Sequence, residues 1–248
     1  MTRVIGVIPA RLGSSRFPGK PLAALRGRPL IEHVYRRTSA CTRLDDVIIA
    51  TCDEAIAEVA RGFGARVVMT ASSHERASDR VAEAVADDPA QVVVMIQGDE
   101  PMLHPAMVDA AIAPLLQDGS VACTNLVSEI RSEQELFDPN VIKVVMDRNG
   151  RALYFSRQPI PTPGRPPFRP GVWLKQVCVI PFRRDALARF QTLPPGRLER
   201  AESVDMLRFL EHGVAVHLVT TSVQTHAVDT PADLVMVETL MAAESTGV

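Results

Sequence analysis

Lysine is almost absent from this chain: among its 27 basic residues, only Lys20, Lys143 and Lys175 are lysines. Such a bias follows a GC-rich coding sequence more than any chemistry, yet it marks each lysine as a position to inspect. Cysteine is sparse as well. Cys41, Cys52, Cys123 and Cys178 are scattered without CxxC or CxxH spacing, which removes the basis for a disulfide framework, a zinc site or a redox pair. They are read as reduced and structural. Excess positive charge is missing too: a formal charge of −2 and a pI near 6.3 leave no broad basic surface for nucleic acid or an acidic membrane. No apolar run is long enough to span a bilayer, and the first residues reach Pro9 and Arg11 too soon for a signal peptide. A soluble, cytoplasmic protein is expected.

Against these absences stands a core of ordinary size, with 46% hydrophobic residues in 248, enough for one α/β domain. Short β-branched runs at Val4 to Ile8, Val47 to Ala50, Val67 to Thr70 and Val92 to Ile96 read as buried strands. Between them fall helical patterns over Pro29 to Ser39, Asp53 to Gly62, and Ser78 to Ala86, the last with Ser78 as its cap. This βαβα rhythm predicts a parallel sheet covered by helices. From about residue 120 the rhythm changes. Val121 to Leu126, Val141 to Met146 and Val172 to Phe182 look like strands without regular helices between them, which points to a mixed-sheet insertion. Six prolines between Gln158 and Gly171 forbid helix and favour an extended loop, either a wall of a pocket, a bridge to a second subunit, or a plain connector. The chain closes with a helix over Glu202 to Glu211, a strand over Val214 to Thr220 and a helix starting near Pro231.

Pro9-Ala10-Arg11-Leu12-Gly13-Ser14-Ser15-Arg16-Phe17-Pro18-Gly19-Lys20-Pro21-Leu22 comes directly after the first predicted strand. At the carboxyl end of a strand, a Gly- and Ser-containing loop can aim backbone N–H groups at phosphates while Arg11, Arg16 and Lys20 supply positive charge. It is not a Walker loop, because Pro21 succeeds Lys20 where Ser or Thr would be needed, and it lacks the GxGxxG pattern of a dinucleotide site. Gln97-Gly98-Asp99-Glu100-Pro101 comes after the fourth strand, so Asp99 should enter the same crevice. A magnesium ion bound beside a triphosphate needs one or two carboxylates, and Asp229, in Ala227-Val228-Asp229-Thr230-Pro231, is the second candidate or else a helix cap. His74 to Arg80 could close the base and ribose side. GxSxG is absent, so a nucleophile elbow has no support.

Taken in order, IPARLGSSRFPGKPL, QGDEP, FDPN with VIKV, ALYFSR and VDTPADL resemble the 3-deoxy-manno-octulosonate (Kdo) cytidylyltransferases over nearly the whole chain. The resemblance implies a Rossmann-like α/β nucleotidyltransferase fold in a single domain over 1–248, with a mainly parallel or mixed central sheet flanked by helices. A small mixed-sheet insertion at about 120–215 would serve acceptor binding and dimerisation. It implies attack of an acceptor hydroxyl on the α-phosphate of CTP, with Lys20, Arg11 and Asp99 catalytic and Asp99 with Asp229 holding Mg2+. Ala10, Arg11, Gly13, Ser14, Lys20, Ser78, Arg80 and Gln97 would bind the nucleotide, and Arg157, Lys175, Gln176 and Arg208 the acceptor. A homodimer is the implied assembly.

Departures cluster on the acceptor side: Gln176 and Ile180 stand where the family pattern KHxGIYxYR has His and Tyr, and Met206 where a Gln is usual. Each lost hydrogen-bonding group in a sugar pocket costs about 1–3 kcal/mol. A smaller acid, such as the phosphonate phosphonoformate, is therefore the expected acceptor, with Kdo or a related keto-sugar acid as the alternative. A catalytically silent CTP-binding protein is the rival from another class.

Overall fold

The computed structural model describes residues 2–14, 16–164 and 168–246; Ser15 of the first loop, and Pro166 and Pro167 of the proline-rich segment, lie outside these described residues. The chain divides into two compact units, Met1–Asp109 with Thr225–Val248, and Ala110–Gln224.

In the first unit, β1 (Val4–Ala10) is flanked on both sides by parallel partners, β4 (Asp46–Thr51) and β6 (Val92–Ile96), and β5 (Arg66–Met69) lies beyond β4. Ile5, Val7, Ile8, Ile48, Ile49 and Val92 to Val94 are fully buried, the continuous apolar burial expected of strands covered on both faces. The connecting helices are α1 (Leu30–Ser39), α2 (Glu54–Gly62) and α3 (Ala77–Ala84). Between β1 and α1 the chain makes a 3-10 turn at Lys20–Leu22 and a tight hairpin of β2 (Ala24–Leu25) with β3 (Arg28–Pro29). Both hairpin turn residues are left-handed, Arg26 at φ 49° and Gly27 at φ 77°, as a two-residue type I′ turn requires. The chain leaves this unit within α4 (Pro105–Gln117) and returns before α9 (Pro231–Thr246).

The second unit is built on a mixed sheet. Its strands β7 (Thr124–Glu129), β8 (Lys143–Met146), β9 (Ala152–Ser156), β10 (Leu174–Val177) and β12 (His217–Thr221) lie in the order β12-β7-β10-β8-β9. Of these neighbouring pairs, β12 with β7 runs parallel and the others antiparallel. The single strand expected over Val172 to Phe182 is broken at Cys178 into β10 and β11 (Val179–Arg183). A helix does intervene between β7 and β8, contrary to expectation: α5 (Glu133–Phe137), whose Ser132 hydroxyl accepts from the Glu135 N–H at 3.1 Å. After α6 (Arg184–Thr192), the expected helix over Glu202 to Glu211 is also interrupted. α7 (Arg197–Glu202) stops at Ser203, a non-glycine residue at φ 54°, and α8 restarts at Met206–Glu211.

Arg208 and Lys143 are among the buried cations of this unit. Arg208, at 3% exposure, donates to both oxygens of the fully buried Glu199 at 2.8 and 2.6 Å and lies 4.2 Å above the Phe190 ring. Lys143 has no solvent exposure and donates Nζ to the carbonyls of Asp138, Val141 and Arg157 at 2.6 to 2.9 Å. Burial pulls its pKa down. Removing one member of a buried pair leaves an uncompensated charge. Glu199→Ala should therefore destabilise the protein by about 3–5 kcal/mol in chemical denaturation, and adding Arg208→Met should recover much of that loss.

Candidate active site

Parallel pairing brings the carboxyl ends of β6, β1 and β4 to one edge of the sheet, with Ala10 opposite Thr51. The segments leaving these strands therefore converge: Arg11 to Lys20 after β1, Cys52-Asp53 after β4, and Gln97 to Asp99 after β6. A cleft of about 450 Å³ opens there. Its lining includes Ala10, Arg11, Gly13, Ser14, Arg16 and Lys20 from the first loop, His74, Arg76 and Arg80 around the start of α3, and Gln97, Gly98 and Asp99. Gly98 is needed for close approach, since an added Cβ would meet the Pro9 carbonyl oxygen at 3.3 Å. Gly19, at φ 73°, provides the left-handed step into the Lys20 turn.

The loop is folded on itself and pinned from outside. Ser14 N–H and Gly19 N–H both donate to the Leu12 carbonyl, at 2.8 and 3.1 Å, and the Ser14 hydroxyl accepts from Phe17 N–H at 3.3 Å. Leu12 N–H donates to the Asp53 carboxylate at 2.8 Å. Asp53, which the sequence marks as a helix start, does stand at the head of α2 but caps nothing there with its side chain. Its carboxylate instead anchors the anion loop through the Leu12 N–H.

At the centre, Lys20 Nζ donates to Asp99 Oδ2 at 2.7 Å and reaches Asp229 Oδ1 at 3.5 Å, while Arg16 pairs with Asp229 at 2.9 Å. The backbone holds this spacing, because Val228 N–H donates to the Asp99 carbonyl at 2.9 Å. Asp229 lies in an irregular segment, and the α9 N-terminus is capped by a reciprocal Thr230–Asp233 box. Burial of the Lys20 ammonium works against its charge, but Asp99 and then Asp229 outweigh that, and its pKa rises. Asp229 is also raised, first by burial and then by the like charge of Asp99, with Lys20 and Arg16 only partly offsetting them.

Asp99 Oδ1 is buried and meets no hydrogen-bond donor among the described residues, so an acceptor in the cluster is spare. No group of three or more His, Cys, Asp and Glu suited to a metal occurs among the described residues. A cation here would take two carboxylates from the chain and its other ligands from substrate oxygens, the usual manner of magnesium.

The other predicted nucleotide residues divide. Arg80 lines the cleft, with its guanidinium also bonded to the Thr70 hydroxyl. Ser78 does not cap α3, because Arg76 occupies the N-cap position and Ser78 is fully buried in the first turn. The four acceptor residues belong to the second unit and are dispersed there. Lys175 and Gln176 are neighbours on β10 and so point to opposite faces, Lys175 to Glu135 and Gln176 Nε2 to Asn125 Oδ1 at 2.5 Å. Arg208 has its charge matched internally by Glu199. Arg157 is bound through Nε to the Glu202 carbonyl at 2.7 Å and through Nη1 to the Pro139 carbonyl at 2.8 Å. Sequence reasoning misses Glu202. Its carboxylate accepts from Ser156 Oγ at 2.9 Å, Arg157 N–H at 2.8 Å and Tyr154 OH at 3.2 Å, a hub that no local motif announces.

Residues 5–218 match the family model described as cytidylyltransferase. The 3-deoxy-manno-octulosonate cytidylyltransferase of Geobacter metallireducens is 45% identical, over 94% of this chain and 95% of the relative. That of Solibacter usitatus is 44% identical over 97% and 95%. A solved CMP:2-keto-3-deoxy-manno-octonic acid synthetase complexed with CTP superposes with a TM-score of 0.90 at 37% identity, covering 98% of this chain and all of that one. The chain belongs to the 3-deoxy-manno-octulosonate cytidylyltransferase family.

As a member of that family it is a nucleotidyltransferase, and the ion cluster at the strand ends is the part of the cytidylyltransferase on which a direct stability measurement bears. The folded state holds the Asp229 proton more tightly than an unfolded chain does. Stability from this group is thus present at acid pH and falls as pH rises through the raised pKa, so the ionised carboxylate is a liability at neutral pH. In metal-free buffer at pH 7.5, Asp229→Asn is expected to leave the thermal midpoint unchanged or higher. A fall of several degrees would contradict this balance of charges.

Proposed function

We propose that this protein transfers the cytidylyl group of CTP to Kdo or a closely related 2-keto sugar acid, with magnesium held by Asp99 and Asp229. The observation that carries the reading is the cleft at the strand ends, where Arg11, Arg16, Lys20 and Arg80 gather beside two carboxylates. Its support is the close likeness, over essentially the full chain, to a synthetase solved with CTP. In the reaction an acceptor hydroxyl attacks the α-phosphorus, a new P–O bond forms, the bond to the β-phosphate oxygen breaks, and pyrophosphate leaves with its electron pair. The hydroxyl proton passes to solvent or a phosphate oxygen.

The chain's own contribution is positioning and charge. The folded loop places Arg11, Arg16 and Lys20 on the cleft, where their charge can restrain the triphosphate for in-line attack. Lys20, kept protonated by its two carboxylates, can follow the negative charge that develops on the leaving pyrophosphate. When bound, magnesium would neutralise triphosphate charge at Asp99 and Asp229.

The family relationship favours the keto-sugar acid over the small phosphonate that the pocket substitutions suggested. Phosphonoformate remains a second reading because Ile180 and Met206, at 2% and 0% exposure, offer no hydrogen-bonding group where the family pattern has Tyr and Gln. A homodimer belongs to the same proposal. Edge strand β9 presents Leu153, 61% exposed, beside Met146 of β8, and apolar groups at a sheet edge call for a cover.

Pyrophosphate release with CTP and magnesium, across Kdo, 8-amino-Kdo and phosphonoformate, tests the reading. Turnover with Kdo is expected; turnover with phosphonoformate alone would transfer the assignment to the second reading, and silence with all acceptors would reject both. Asp99→Asn should lower turnover by at least about 100-fold while the protein stays folded. Near-normal activity in that variant would remove Asp99 from the metal site.

A further inference from the structure

The segment carrying Asp229 is tied at both ends of α9 to elements that carry the rest of the cluster. At the N-terminal end, Asp233 Oδ2 accepts from Asp229 N–H at 3.0 Å, Thr230 N–H at 2.7 Å and Thr230 Oγ1 at 2.9 Å. Val228 N–H is bonded to the Asp99 carbonyl at 2.9 Å. Toward the other end of the helix, Arg26 Nη1 donates to the Met241 carbonyl at 2.6 Å, and Arg26 N–H donates to Glu238 Oε1 at 3.2 Å.

Arg26 sits in the hairpin that issues directly from the Lys20 turn. That hairpin is itself fixed: Leu25 is fully buried, its carbonyl meets His33 Nε2 at 2.7 Å, and Leu30 N–H donates to the Ala23 carbonyl at 2.9 Å. Lys20, the hairpin, α9 and Asp229 therefore form a closed loop of contacts, completed by the Lys20–Asp229 pair. Arg26 holds a left-handed backbone, φ 49°, at a turn position where Asn or Gly is ordinarily preferred. An arginine is tolerated there when its side chain makes contacts that a smaller residue could not.

We infer that Arg26 is a positioning residue for the metal carboxylate: by clamping α9 to the hairpin, it sets where the helix start places Asp229 relative to Lys20 and Asp99. This rests on the proposal that Asp99 and Asp229 hold magnesium. Arg26 is not one of the residues lining the cleft, so its influence on the site runs through the helix.

The test is calorimetric titration of CTP into the intact protein, with magnesium and with EDTA, for the wild type, Arg26→Ala and Arg26→Lys. Arg26→Ala should leave CTP affinity in EDTA unchanged and reduce the magnesium-dependent gain by a few-fold, less than the roughly tenfold that loss of a direct outer contact to a metal ligand costs. Arg26→Lys, which can still reach the Met241 carbonyl, should retain most of the gain. If Arg26→Ala is merely less stable, and its two titrations match those of the wild type at a temperature where it is folded, the inference is overturned. Should Arg26→Ala fail to fold, Arg26→Met, which keeps the aliphatic stem but cannot donate to the Met241 carbonyl, carries the same comparison, with the same loss expected and no loss overturning the clamp. A wild type without any magnesium-dependent gain would instead reject the metal proposal, so the two failures are distinguishable.

Discussion

One ammonium group between two carboxylates organises the site. Asp99 and Asp229 are brought together by a backbone hydrogen bond from Val228 to Asp99, and without a cation their like charges would oppose that approach. Lys20 supplies the cation, with Arg16 assisting at Asp229. The anion loop, the exit of β6 and the start of α9 each deliver one member of this cluster. The raised pKa of Asp229 shows that the compensation is incomplete in the isolated chain. Among the described residues, Asp99 Oδ1 of this cluster is buried without a hydrogen-bond donor.

Much of the first unit is legible in the sequence because its signals are local. Runs such as Val92 to Ile96 read as buried parallel strands, and parallel strands place their exits on one edge, so strand order brings together the segments that carry Arg11 and Asp99. Asp229 is legible as chemistry but not as geometry. Its segment is irregular, and what positions it, the Thr230–Asp233 box and the Val228 N–H, shows in the sequence only as a helix start. Asp53 shows the limit from the other side: an Asp before a helix reads as a cap, and only the folded chain reveals that its carboxylate is engaged 41 positions away.

The second unit is less readable because its key contacts are polar, buried and distant in sequence. Glu202 collects donors from residues in and just after β9, 45 to 48 positions earlier, which no periodicity encodes. Ser203 breaks the helix with a left-handed backbone that its residue type does not predict. Alternation is a signal the sequence does contain: Lys175 and Gln176 are adjacent on a strand, so they cannot face a single ligand together.

The three lysines have a common environment. Lys20 lies between two carboxylates, Lys143 against three carbonyls, and Lys175 against Glu135. Each site calls for a compact point charge whose N–H groups can turn toward partners in different directions, which the flat, forked guanidinium cannot reproduce. In a chain whose basic residues are otherwise arginine, the three lysines stand where an ammonium meets oxygen acceptors inside the fold.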